Sequence, residues 1–165
     1  MTRPPRLGLA LSGGGALGAP HIGVLDVLAE EGIILDVVAG TSIGAVVGAA
    51  HLTGQLETLR RLAVGTSQWR MAQLADPGLG PGMIAGRRIR ALLAEHFGEI
   101  RIEELDKPFA AVAADLSGGG ERVIVAGSVV DALRASISVP RSPCLDLRAS
   151  ISVPRSPCRV SSSRW

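Results

Sequence analysis

Apolar residues fall into short blocks separated by glycine, and the spacing within each block sets what it can form. Residues 7–11 are an apolar run bounded by Pro4-Pro5 and Ser12-Gly13-Gly14-Gly15, which predicts a buried strand ending in a glycine turn. A helix is expected from there to about Glu31, with Ile22, Leu25 and Leu28 or Ala29 on one face and Pro20 in its first turn. Gly32 punctuates its end. Residues 33–39 read as a second buried strand, and Gly40-Thr41-Ser42-Ile43-Gly44 turns it into a helix with Ile43, Val46, Val47 and Ala50 on one face.

Leu52, Leu56, Leu59 and Ala63 predict another helix, after which 75–86, rich in Gly and Pro, reads as a loop. Ile89, Leu92, Leu93 and Phe97 mark a further amphipathic helix whose solvated face carries Arg88, Arg90 and Glu95. Residues 109–114 and 122–126 read as strands joined by a turn at Ser117-Gly118-Gly119-Gly120, and 129–136 as a helix. Strand, turn and helix recurring in this order imply an α/β fold, a parallel sheet with helices on both sides.

Past Pro140 the pattern stops. Residues 133–144 read LRASISVPRSPC and 147–158 repeat them letter for letter, too few copies to stack into a core. The expected organisation is one domain over 7–140 and an irregular tail over 141–165, with disorder at the very end.

Composition narrows the function classes. With 47% hydrophobic and 19% charged residues and a net charge of +2, the chain reads as an aliphatic globule with no basic, aromatic-interleaved surface for nucleic acid. The apolar run after Arg3 and Arg6 is too short for a signal peptide, and Cys144 and Cys158 both belong to the repeat, so the expected location is the cytoplasm. The stretch 37–56 lacks formal charge and spaces Gly40, Gly44 and Gly48 four apart, as a packed membrane helix would. Gly, Thr, Ser, His and Gln dilute it, and Asp36 blocks its extension, so a spanning role is not expected.

The two glycine motifs carry the chemistry. A serine that attacks an ester must stand clear of the sheet on a tight strand-to-helix turn, with small residues on either side where the chain reverses. Gly40 and Gly44 flank Ser42 in that way, and the helix from Ile43 would aim its positive end at the serine. Gly13-Gly14-Gly15-Ala16-Leu17-Gly18 joins the first strand to a helix, where free backbone N–H groups bind an anion. On neighbouring parallel strands both motifs emerge at the same carboxyl edge, and loss of one oxyanion donor costs roughly 3 to 4 kcal/mol of transition-state stabilisation.

These residues together resemble the patatin-like phospholipase family. The likeness runs through Leu9-Ala10-Leu11-Ser12-Gly13-Gly14-Gly15-Ala16-Leu17-Gly18, His21-Ile22-Gly23-Val24-Leu25 and Gly40-Thr41-Ser42-Ile43-Gly44-Ala45. It continues through Pro108-Phe109, Ala113-Ala114-Asp115-Leu116 and Arg134-Ala135-Ser136-Ile137-Ser138-Val139-Pro140. The resemblance implies a three-layer α/β/α domain that hydrolyses lipid acyl esters with a Ser-Asp dyad. Ser42 would be the nucleophile, Gly13, Gly14 and Gly15 the oxyanion hole, and Gly40 and Gly44 the sides of the nucleophile turn. It also implies a lipid or acyl-ester substrate, transient contact with a membrane surface, and neither metal nor cofactor. Where many relatives have Arg or Lys before the last glycine of the first motif, this chain has Leu17.

One part of the pattern is missing. The family's catalytic aspartate lies in an Asp-Gly turn downstream of the segment matching 134–140, and this sequence contains no Asp-Gly. Asp146 sits inside the repeat, and Asp115 matches a position read as structural. The domain is therefore expected to be incomplete at its C-terminal end, inactive as it stands, and prone to aggregation through unpaired strand edges. No histidine substitutes: His51 lies nine residues beyond Ser42, roughly 13 Å along a helix. His21 and His96 read as packing residues, and the Ser, Asp, His order of α/β-hydrolases is unavailable.

Two other classes compete. Gly13-x-Gly15-x-x-Gly18 also fits a dinucleotide fingerprint, which wants an acid at the carboxyl end of the second strand, where this chain has Thr41-Ser42. A non-catalytic lipid-binding or interaction module is the other, favoured by the missing aspartate.

Overall fold

The structure is a computed structural model that describes residues 6–14, 18–65, 86–115 and 119–138. Four strands form a single sheet: β1 (Gly8–Leu11), β2 (Val37–Thr41), β3 (Phe109–Ala114) and β4 (Glu121–Ile124), side by side in that order. The first three are parallel, and β4 returns antiparallel to β3. Among the described residues five helices accompany them: α1 (Ala19–Glu30), α2 (Ile43–Leu52), α3 (Leu56–Gly65), α4 (Gly86–Phe97) and α5 (Val129–Ile137). The fold class is the expected α/β with a mainly parallel sheet.

Alternation along the strands decides what the helices cover. Leu11, Val38, Phe109, Ala111 and Ile124 are buried, and α2 packs over them, with α5 beside it on β3. Between these positions lie Val37 and Val123, both exposed. Among the described residues α1 and α3 reach the core by packing on α2, with Ile22 and Leu25 of α1 buried there, so the described helices gather over one face.

Local chemistry explains where the elements end. Pro20 occupies the first turn of α1, where its missing N–H is harmless. At the other end Gly32 takes φ +66, Gly32 N–H donates to Ala29 C=O, and Ile33 N–H donates to Leu28 C=O, a Schellman closure. That closure corrects the expected second strand. Residues 33–36 carry the chain back to the sheet, leaving Ile33 and Ile34 exposed, and β2 begins only at Val37. Asp36 fixes the entry: its carboxylate accepts the Leu7 N–H at 2.7 Å, and its own N–H donates to Leu7 C=O at 2.8 Å.

The strand expected over 122–126 is also displaced. Pairing of Glu121 with Ala114 and Ile124 with Ala111 sets its length, after which the chain turns through Gly127 at φ +99 into α5. α5 is held firmly at its start. Ser128 caps it, accepting from Asp131 N–H; Val129 N–H donates to Ile100 C=O, and Gly127 N–H donates to the Glu103 carboxylate at 3.0 Å. That last bond holds the Glu103 carboxyl below the usual carboxylate range.

α2 departs from the amphipathic pattern, because Gly44 through Ala50 are all buried. It lies between the sheet, α1, α3 and α5, and its small residues permit that depth. A methyl group on Gly48 would stand 2.9 Å from Val38 Cγ1 and 3.3 Å from Phe109 Cε2. The four-residue glycine spacing thus serves contact with a sheet, and among the described residues no helix is long and apolar enough to cross a membrane. The predicted 75–85 loop, the 117–118 part of the predicted turn and the 141–165 tail lie outside the described residues.

Candidate active site

β1 and β2 end together, since Leu11 pairs with Gly40, and the two glycine motifs leave the sheet at one edge. The turn after β2 is the sharper of the two. Ser42 has φ +53 and ψ −124, and it is the one non-glycine residue with positive φ among those described. Its surroundings hold that conformation. A methyl group on Gly40 would meet Ala45 N at 2.5 Å, and one on Gly44 would meet Leu11 O at 2.4 Å and Ser12 O at 2.5 Å. The helix start is pressed against the end of β1, which only flanking residues without side chains permit.

Two serines occupy helix N-caps here, and they behave differently. Ser128, at φ −63 and ψ 128, accepts from the N–H of Asp131 as a cap should. Ser42 makes no side-chain capping bond to α2, so its hydroxyl is not used to close the helix end. It stands beside the first turn of α2, where the backbone dipoles present positive charge.

The glycine loop runs alongside. A methyl group on Gly13 would lie 3.5 Å from Ser42 Cβ and 3.6 Å from Thr41 Cγ2, and one on Gly18 would lie 2.3 Å from Ile43 Cγ1. Gly13 therefore packs against the serine, and Gly18 against the residue after it. Gly14 follows Gly13 on the same loop, whereas Gly15 lies outside the described residues.

Three residues acquire roles that sequence pattern did not reveal. His21, expected only to pack, places Nε2 2.9 Å from Ser12 C=O; a carbonyl only accepts, so Nε2 carries the proton and the ring tethers the loop to α1. Thr41 donates its hydroxyl to Val112 C=O at 3.1 Å. Ser136, on α5, accepts the N–H of Ser42 at 2.7 Å and donates to Val112 C=O at 2.6 Å. It lies 94 residues from Ser42 in the chain, so no local period could pair them.

His51 occupies the far end of α2, where desolvation, and then the charge of Lys107, pushes its pKa below the usual histidine value. Asp115 follows the last residue of β3, and its N–H donates to Gly120 C=O at 3.0 Å. Asp36 is at the opposite end of β2 from the glycine loop, bonded to Leu7, which leaves a dinucleotide ribose without its acidic partner. Among the described residues no group of His, Cys, Asp and Glu is arranged to hold a metal ion.

The family described as patatin-like phospholipase matches residues 9–140. An uncharacterised NTE family protein of Mycobacterium tuberculosis is 38% identical over 137 residues, covering 82% of this chain and 38% of the relative. Neuropathy target esterase of Drosophila persimilis is 33% identical over 138 residues, 81% of this chain and 10% of that protein. Among solved structures, VipD from Legionella pneumophila superposes with a TM-score of 0.59 at 16% identity, over 79% of this chain and 42% of that one. ExoU of the Pseudomonas aeruginosa type III secretion system, solved with SpcU, gives 0.59 at 18% identity, over 84% and 39%. This chain thus spans well under half the length of these relatives.

Proposed function

Because this chain belongs to the patatin-like phospholipase family, we propose that it forms the nucleophile half of a lipid acyl hydrolase with Ser42 as the attacking residue. The observation that carries the reading is the backbone of Ser42, strained at φ +53 between two glycines that tolerate no side chain, with its hydroxyl not used as a cap. Such strain persists where the surroundings over-determine it, and it turns a side chain out of the sheet edge. In the proposed reaction Ser42 Oγ bonds to the acyl carbonyl carbon and the carbonyl oxygen gathers charge. The N–H groups of Gly13, Gly14 and Gly15 receive that charge. The alcohol then leaves with a proton, and water cleaves the acyl-serine. Gly40 and Gly44 shape the turn without touching substrate.

The proposed substrate is an acyl ester of a lipid, met at a membrane surface, with neither metal nor cofactor taking part. A base for the Ser42 proton is the weak point of the chemistry. The sequence has no Asp-Gly turn, His21 is bonded to Ser12, and His51 is at the wrong end of α2. Acylation of Ser42 and its hydrolysis are therefore expected to be slow, since oxyanion donors and binding still act without such a base. The same absence favours a second reading, a lipid-binding module without activity.

Treatment with an alkyl fluorophosphonate, read by intact mass and peptide mapping, separates the two. Labelling at Ser42 that disappears in Ser42→Ala supports the hydrolase. A folded protein left unlabelled, while still binding lipid vesicles, supports the module.

A further inference from the structure

The hydroxyl of Ser136 stands where the sheet's own hydrogen-bond ladder should continue. Between β2 and β3 the Val38 N–H donates to Pro108 C=O at 3.1 Å. Gly40 pairs with Ala111 in the register, and because parallel bonding repeats every two residues, the donor after Gly40, Ser42 N–H, falls to Val112 C=O. That bond is not made directly. Ser136 Oγ fills the gap: it accepts Ser42 N–H at 2.7 Å and passes its own proton to Val112 C=O at 2.6 Å. One hydroxyl, donor and acceptor at once, bridges the two backbone groups.

We propose that Ser136 is the positioning residue of the nucleophile turn, and that by binding the Ser42 amide it removes that amide from the oxyanion hole. The inference rests on Ser42 being the nucleophile. Holding Ser42 in its strained backbone needs a bond at the point of strain, and this is the one the described side chains make to its backbone N–H. The consequence is chemical as well as structural. With the Ser42 amide engaged by α5, developing oxyanion charge falls to other amides at this edge, among them those of the glycine loop, which His21 tethers through Ser12. Only a side chain that donates and accepts together fits the bridge; alanine leaves the Ser42 N–H without this partner. α5 can bear the load because its first turn is fastened to Ile100 and capped by Ser128, and the preceding Gly127 is bonded to Glu103.

The test compares Ser136→Ala, Ser136→Cys and Ser136→Thr in the full chain by three readouts. These are hydrogen exchange at the Ser42 amide, the second-order rate of fluorophosphonate labelling, and the thermal midpoint. Exchange protection at Ser42 is expected to fall about tenfold in Ser136→Ala, the worth of one net hydrogen bond. Labelling should slow by about 10² for a nucleophile displaced by an ångström. Ser136→Thr restores both, and Ser136→Cys, whose thiol bonds weakly, falls between and remains informative should the alanine variant fail to fold.

Unchanged protection and wild-type labelling in a folded Ser136→Ala protein overturn the inference while leaving the Ser42 reading intact. Faster labelling in Ser136→Ala overturns the positioning role, since the turn would then hold its nucleophile in place without the bridge. Absence of labelling in the wild type strikes at the nucleophile instead, and exchange at Ser42 still decides whether the bridge exists.

Discussion

Gly44 and Gly23 differ in what a methyl group would touch, and the difference separates a glycine the site requires from one it does not. At Gly44 the nearest atoms are the Leu11 and Ser12 carbonyls at 2.4 and 2.5 Å, both backbone and both part of β1's end. Neither can move without distorting the glycine loop, so Gly44→Ala is expected to cost stability at the upper end of about 1–3 kcal/mol. At Gly23, on α1, nothing lies within 4 Å, so Gly23→Ala should stabilise by about 0.5–1 kcal/mol through helix propensity. Urea midpoints of the two variants check both signs, and a tolerated Gly44→Ala would contradict the tight turn. The tight turn through Gly40, Ser42 and Gly44 was legible in the sequence because a strand-to-helix reversal constrains neighbours one or two residues apart. Ser136 and His21 were not, because their bonds are to backbone atoms that folding alone brings within reach.

Element by element, the sequence pattern reads well where one period holds and fails where tertiary pairing sets the limits. β3 and α1 lie where the apolar spacing puts them, whereas β2 starts four residues late because the Schellman closure and Asp36 use 33–36 to return the chain. α2 defeats the amphipathic reading because it is enclosed, and its only titratable group feels that enclosure. His51, in its last turn, is half-buried and feels the charge of Lys107, two residues before β3. Desolvation first, and Lys107 second, lower its pKa below the ordinary value of about 6.5. Above that value the ring is neutral in both folded and unfolded chains and contributes nothing to pH dependence. As pH falls through it, the unfolded chain takes up a proton that the folded chain resists, so stability is lost until the depressed folded pKa is reached. Thermal midpoints at pH 7.5 and 5.5 should therefore fall further for the wild type than for His51→Gln, and equal declines would remove His51 as the cause.

At the scale of the whole molecule, the distribution of apolar surface is uneven in a way that bears on solution behaviour. The helices described gather over Leu11, Val38, Phe109 and Ile124, while Val123 and Val125 stand 47% and 56% exposed at and just past β4, an outer strand of the sheet. An outer strand with exposed valines offers both backbone hydrogen bonds and apolar contact to a second chain. Ile34 is more exposed still, at 73%, but lies in the coil before β2 and brings no strand edge with it. The two surfaces thus make separable expectations. Light scattering over a concentration series should show association that a Val123→Lys, Val125→Lys double variant suppresses, because charge on an outer strand opposes edge pairing. Ile34→Lys should leave association unchanged, since removing an apolar side chain from coil does not close an edge. Should Ile34→Lys prove the stronger suppressor, the sheet edge is not the sticky surface, and contact through the coil between α1 and β2 takes its place.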